Sequence, residues 1–92
     1  MPYVKLTRHL YEFFPHLEQR EIAVDAADIA GVVRELETIA PGIAFYICDE
    51  RGRLRTHVNV FIEDEMILDR RRLTDALQPN SHVLIVQALS GG

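Results

Sequence analysis

Hydrophobic residues along this chain follow two periods, and the points where the period changes mark the elements. Val4 and Leu6 alternate with Tyr3, Lys5 and Thr7, the pattern of a strand with one buried face. A second strand is predicted from Arg20 to Val24, with Ile22 and Val24 facing inward. Between them the segment His9 to His16 holds Tyr11, Phe13 and Phe14 and is broken by Pro15, so it reads as a loop whose rings cover one end of the core. After Asp28 the period becomes helical. Ile29, Val32, Val33, Leu36, Ile39 and Ala40 share one face, and Arg34, Glu35 and Glu37 take the other. Asp28 can accept from the free N–H groups of the first turn, and its charge suits the positive end of the helix. Pro41-Gly42 stops it.

The apolar run from Ile43 to Cys48 is expected to be extended, with a turn at Asp49-Glu50-Arg51-Gly52. Val58, Val60 and Ile62 then alternate with His57, Asn59, Phe61 and Glu63, the clearest strand in the sequence. Glu63-Asp64-Glu65 forms an acidic turn, and Met66-Ile67-Leu68 a short return strand. Leu73 to Leu77 is read as one helical turn closed by Pro79-Asn80-Ser81. The last strand runs from His82 to about Gln87, with Val83 and Ile85 inward and Leu84 and Val86 outward. One amphipathic helix needs a sheet to cover its apolar stripe. The predicted fold is therefore α+β: a mixed sheet of four to five strands packed on one main helix, the ubiquitin-like β-grasp. Residues 1–87 make the domain, and residues 88–92 a flexible tail.

Composition narrows the chemistry. Ninety-two residues, 48% of them apolar and 26% charged, suit one small folded domain rather than a disordered chain. A net charge of −4 argues against nucleic acid or an anionic membrane as the main partner. Arg70-Arg71-Arg72 is read as a solvated turn. Cys48 is the single cysteine, so no intramolecular disulfide can form, and a reducing, cytoplasmic setting fits. Its place in an apolar run makes it a small core residue before it makes it a sulfur carrier. Met1-Pro2-Tyr3-Val4-Lys5 lacks the apolar stretch of a secretory signal, and no run approaches membrane-spanning length. His9, His16, His57 and His82 show no ligand spacing with each other or with Cys48, so no metal site is expected. Nothing resembles a phosphate-cradling loop, a nucleophile elbow or a catalytic dyad, so no catalytic residue is assigned and no bound cofactor is expected.

The chemistry instead points to the end of the sequence, Ala88-Leu89-Ser90-Gly91-Gly92. With Gly at about 7% of residues, a closing Gly-Gly arises by chance in about one chain in 200. Residues without a Cβ let backbone lie in a channel that any side chain would block. Fully extended, five residues span at most roughly 17 Å, enough to enter a partner's active site. Gly92 then presents the reactive carboxylate, and Gly91 with Ser90 allows it to thread. Phe61, Leu84 and Val86 project from the sheet face away from the helix by period-2 counting and, with Leu89, form a candidate docking patch.

The strand His57-Val58-Asn59-Val60-Phe61-Ile62, the acidic turn after it, Leu77-Gln78-Pro79 before Val83-Leu84-Ile85, and the closing diglycine resemble the ubiquitin-like sulfur carriers of the MoaD and ThiS type over nearly the whole chain. The stretch Gly52 to Met66 looks most like the subgroup that feeds sulfur to cysteine biosynthesis. Two turns depart from the family: Glu63 stands where many members carry Asn, and Asn80-Ser81 where Gly-Asp is common. Gln87 replaces a proline often found just before the tail, which implies a looser tail.

The resemblance implies a carrier that is acted on by enzymes and is not one itself. An adenylating, E1-like partner would use ATP to activate Gly92, and a sulfur source would convert it to a thiocarboxylate. A biosynthetic enzyme, such as a pyridoxal-phosphate-dependent cysteine synthase, would take the sulfur, and a metalloprotease would trim the product. The thiamin carrier and the small subunit of molybdopterin synthase are the alternatives within the family. A protein modifier joined to lysines through Gly92 is the alternative outside sulfur transfer, although Lys5 is the only lysine on which this chain could itself be extended.

Overall fold

The computed structural model describes residues 1–17 and 21–87. In chain order the elements are β1 (Tyr3–Leu6), α1 (Arg8–Tyr11), a 3-10 turn (Pro15–Leu17), β2 (Ile22–Ala23), α2 (Ile29–Ile39), α3 (Ile43–Ile47), β3 (Val58–Ile62), β4 (Glu65–Met66) and β5 (His82–Gln87). The five strands form one mixed sheet in the order β2-β1-β5-β3-β4. β1 lies parallel to β5 at its centre, and the other pairings are antiparallel. This is the predicted β-grasp, with α2 as its main helix.

Alternation buries one sheet face. Val4 and Leu6 of β1, Val58 and Val60 of β3, and Val83 and Ile85 of β5 are all buried. They belong to one core with Ile29, Val32 and Leu36 of α2, each wholly buried. Asp28 opens α2 as expected, its Oδ1 accepting from the Gly31 N–H at 2.8 Å.

The structure corrects several of the local expectations. The return strand is Glu65–Met66, so Glu65 leaves the predicted turn and exposed Leu68 lies beyond the strand, and Ile39 of the predicted apolar stripe is exposed. Ile43–Ile47 is helical, not extended. Gly42 turns the chain with φ of 102°, a left-handed conformation natural to glycine. The Glu37 carboxylate then accepts from the Gly42 and Ala44 N–H groups at 2.8 and 2.9 Å, capping α3 from the last turn of α2. Ile43 and Ile47, four residues apart, are fully buried, which is helical spacing.

Leu73 to Leu77 is not a helical turn: Leu73 takes a left-handed φ of 56°, and the residues after it run beside the start of α2. The Leu73 and Asp75 carbonyls accept from Ala30 and Ile29, and Ala76 bridges Asp28. The segment thus supplies acceptors to the N–H groups that the first turn of α2 leaves open.

His9 to His16 is not one loop, since α1 and the start of the 3-10 turn lie within it. Leu10 and Leu17 cover the core there, while Phe13 is exposed and Phe14 half-buried. The side chains of His9 and Tyr11, and all of Arg20, lie outside the described residues.

The arginine run is not uniformly solvated. Arg71 and Arg72 are exposed. Half-buried Arg70 donates from Nη2 to the Arg55 and Val58 carbonyls, both at 2.7 Å, and from Nη1 to Asn59 Oδ1 at 3.1 Å.

Candidate functional site

β3 and β5 set the outer sheet face. Phe61 lies opposite Leu84 in the register, and Asn59 lies opposite Val86. Val58, Val60, Val83 and Ile85 point into the core, so these residues point outward. Phe61, Leu84 and Val86 are half-buried, so the sheet brings together three of the four predicted docking residues. The fourth, Leu89, lies outside the described residues with Ser90, Gly91 and Gly92, as does the expectation of a looser tail.

Counting only along β3 and β5 missed the flanks of this face. Lys5 lies opposite Leu84, and Met66 opposite Phe61, giving one row Lys5–Leu84–Phe61–Met66 across four strands. Met66 is half exposed, so the apolar surface reaches the sheet edge. The same period-2 counting applied to β1, with the turn Glu63-Asp64 placing Met66 back against Phe61, would have found both.

At the end of this face nearer Tyr3, that ring stacks on the His82 ring, with centroids 5.6 Å apart. Glu63 Oε1 accepts from the His82 N–H at 3.0 Å, and its Oε2 lies 3.6 Å from His82 Nδ1. Glu21 lies 3.8 Å from His82 Nε2. The acidic turn is therefore tied to the first residue of β5.

At the opposite end, where the chain runs on to residues 88–92, Gln87 is held twice. Its N–H donates to Thr7 Oγ1 at 3.3 Å, and its side-chain Nε2 lies 3.2 Å from His57 Nε2. Donation from that amide requires the imidazole to present a bare Nε2.

Cys48 takes no part in this surface. It is buried, and burial, with Asp49 adding to it, pushes its thiol up despite the opposing pull of Arg55. A thiol kept protonated and covered is a packing residue. Among the described residues no group of three histidine, cysteine or acidic side chains is placed to hold a metal ion. Among them, too, no helix is long and apolar enough to cross a membrane.

A diglycine end beyond an apolar outer sheet row on a β-grasp is the arrangement to set against known proteins. The model of the ThiS family matches residues 4–92. This chain belongs to the ThiS family. Among solved structures, the ThiS-family chain is similar to a chain of the Amycolatopsis orientalis BexX/CysO complex, with a TM-score of 0.84 and 18% identity over 100% of both chains. It is also similar to Mycobacterium tuberculosis CysO, described as an antigen, with a TM-score of 0.82, 22% identity and 97% and 100% of the two chains covered. SAMP1 from Haloferax volcanii follows at 0.77 and 22%, covering 99% and 98%. At these identities the likeness is one of fold. No curated protein matches the sequence.

Proposed function

We propose that this ThiS-family chain is a ubiquitin-like sulfur carrier, a protein substrate passed between enzymes and not a catalyst. The observation that carries the reading is that the family match runs to residue 92 and so takes in the diglycine. In this reading the Gly92 carboxylate attacks the α-phosphorus of ATP in an adenylating enzyme, releasing pyrophosphate and leaving an acyl adenylate. Sulfide then adds to the acyl carbon and AMP leaves, giving a thiocarboxylate. If the donor is an enzyme persulfide, the first product is an acyl disulfide, which a thiol must reduce. The carrier binds no cofactor of its own, and ATP belongs to the partner.

The row Lys5–Leu84–Phe61–Met66, with Val86, Leu89 and the threading residues Ser90 and Gly91, would dock both the loading and the unloading enzyme. Ordering each flexible residue costs roughly 1–2 kcal/mol, so the tail adds little net affinity and the folded face supplies selection. We favour cysteine biosynthesis as the destination, on the resemblance of Gly52 to Met66 to the carriers that feed it, with a pyridoxal-phosphate-dependent synthase as acceptor and a metalloprotease to release the product. The thiamin and molybdenum-cofactor carriers are the alternatives within the family. The reducing cytoplasm suits a thiocarboxylate.

Conjugation to other proteins is the second reading. It is favoured by the likeness to the small archaeal modifier protein 1 structures. Intact mass after co-expression with an adenylating enzyme and a sulfur source separates the two. Exchange of one oxygen for sulfur on this chain supports the carrier. Hydroxylamine-resistant adducts on other proteins support the modifier. Deleting Gly92 should abolish either product and leave the thermal transition in place; a truncated chain that still works would overturn both.

A further inference from the structure

The end of the sheet from which residues 88–92 continue carries a cleft that the outer face does not include. Its volume is about 420 Å³, room for one or two large side chains, and it is lined by Phe45, Tyr46, Arg55, His57 and Gln87. Phe45 is 64% exposed, although its helix neighbours Ile43 and Ile47 are wholly buried. Both aromatic walls are nevertheless fixed. The Arg55 guanidinium carbon lies 5.5 Å from the Phe45 ring centroid while Arg55 Nε donates to the Phe45 carbonyl at 2.7 Å. Tyr46 stacks on Phe13 with centroids 4.9 Å apart and meets the edge of Phe14 at 5.7 Å. Such prearranged apolar surface loses little freedom when a partner covers it.

The charge of the cleft has one sign. The chain carries a net −4, yet no carboxylate lines this cleft, and Arg55 forms no ion pair among the described residues. Asp49, whose carboxyl feels Arg55, is already engaged by the Arg51 and Arg53 N–H groups at 2.9 and 3.0 Å. The missing complement is an anion beside an apolar group. Gln87 belongs to the cleft and is also the last described residue before the tail, so a protein that encloses residues 88–92 closes over it.

We infer that this cleft docks an acidic loop of the adenylating enzyme, with a carboxylate on Arg55 and an adjoining apolar side chain between Phe45 and Tyr46. The inference rests on the carrier reading above, and the test separates the two. With the purified adenylating enzyme from the same genome, ATP–pyrophosphate exchange is followed against carrier concentration for wild type, Arg55→Glu, Phe45→Ala and, as a control in the neighbouring turn, Arg51→Glu. Arg55→Glu should raise the carrier KM by about tenfold or more with kcat unchanged, because charge placed at an interface acts on encounter and retention and not on the bond being made. Phe45→Ala should raise KM by a smaller factor, and Arg51→Glu should not. Wild-type KM should climb with salt, and that of Arg55→Glu should climb less.

Thermal transitions are recorded for all four proteins, and Phe45→Ala decides if Arg55→Glu is unfolded. Wild-type KM in both cleft variants would overturn the inference and leave the carrier reading standing. Failure of wild type itself to support exchange would overturn both. A dimer of this chain that Arg55→Glu dissolves, with KM unchanged, would assign the cleft to a second copy and overturn the inference as well.

Discussion

Replacing Arg70 with methionine keeps most of the aliphatic stem and removes three hydrogen bonds that join separate parts of the chain. Two acceptors are backbone carbonyls, of Arg55 and Val58, each 2.7 Å from Nη2; the third is Asn59 Oδ1. A hydrogen bond to a charged group is worth about 1.5–3 kcal/mol net when well covered. Arg70 is only half-buried, so water can take over part of the work. We therefore expect a loss of about 2–3 kcal/mol, less than the sum of three such bonds. In a domain of this size each kcal/mol moves the midpoint by about 4–8 °C, so Arg70→Met should melt about 10–20 °C below wild type. Urea unfolding should show the midpoint falling at unchanged slope. Arg71→Met and Arg72→Met, at exposed positions, should stay within about 0.5 kcal/mol. Lysine at position 70 should recover little, because one ammonium cannot reproduce the fork. If Arg70→Met melts with its two neighbours, the guanidinium is not holding β3 to the following loop, and the sequence reading of a solvated run was right after all.

Acid should find the same loop. The Asp69 carboxylate accepts from the Arg72 and Arg71 N–H groups and from the Thr74 hydroxyl, and these hold it down from the ordinary 3.8 to about 2, the Arg72 N–H first among them. A folded-state value below the unfolded one adds stability that is complete above about pH 4 and is lost as pH falls toward 2. Thermal midpoints measured from pH 6 to 2 should therefore drop at the acid end, and Asp69→Asn should show a shallower drop from a lower plateau; an unchanged slope would remove Asp69 from the account. On the outer face, Phe61→Asp should weaken binding to the adenylating enzyme by at least about tenfold while shifting the midpoint only a few degrees, since Phe61 is already half in water. Collapse of the fold would show instead that the ring is structural.

The parts of this molecule that could be read in advance are those in which a side-chain period meets one flat partner. β5 spans His82–Gln87 as expected: four branched apolar residues stand in a row, and buried Val83 and Ile85 alternate with half-buried Leu84 and Val86. α2 begins after Asp28 because the cap and the apolar stripe agree. Phe61, Leu84 and Val86 followed from the same counting, whereas Lys5 and Met66 at the ends of the row did not. Ile43–Ile47 misled because five apolar residues fit either period. The deciding group, the Glu37 carboxylate on the Gly42 and Ala44 N–H groups, is a contact that a local reading does not weigh.

Leu73 to Leu77 has the residue types of a helical turn, but its carbonyls serve α2, some forty residues earlier in the chain. Arg70 illustrates the same limit from the side of charge: three adjacent arginines look alike in sequence, and only the fold selects one to fork. The cleft beside Gln87 draws on α3, the loop ahead of β3 and the end of β5, so no window of sequence contains it. Gly92 and its neighbours were singled out from the residues alone, and the family match through residue 92 stands beside that reading.

The parallel pairing of β1 with β5 has a practical corollary. Tyr3 sits beside His82 and Leu6 beside Ile85, so the chain enters the sheet at one pole and leaves past Gln87 at the other. At about 3.3 Å per residue, His82 and Gln87 are separated by roughly 16 Å of strand. A tether or fusion partner joined ahead of Met1 would hold the molecule from the pole of the sheet opposite Gln87. Because Pro2 is buried and its carbonyl accepts from the Val24 N–H, such a graft needs a spacer before the first residue and none of the first strand given up to it.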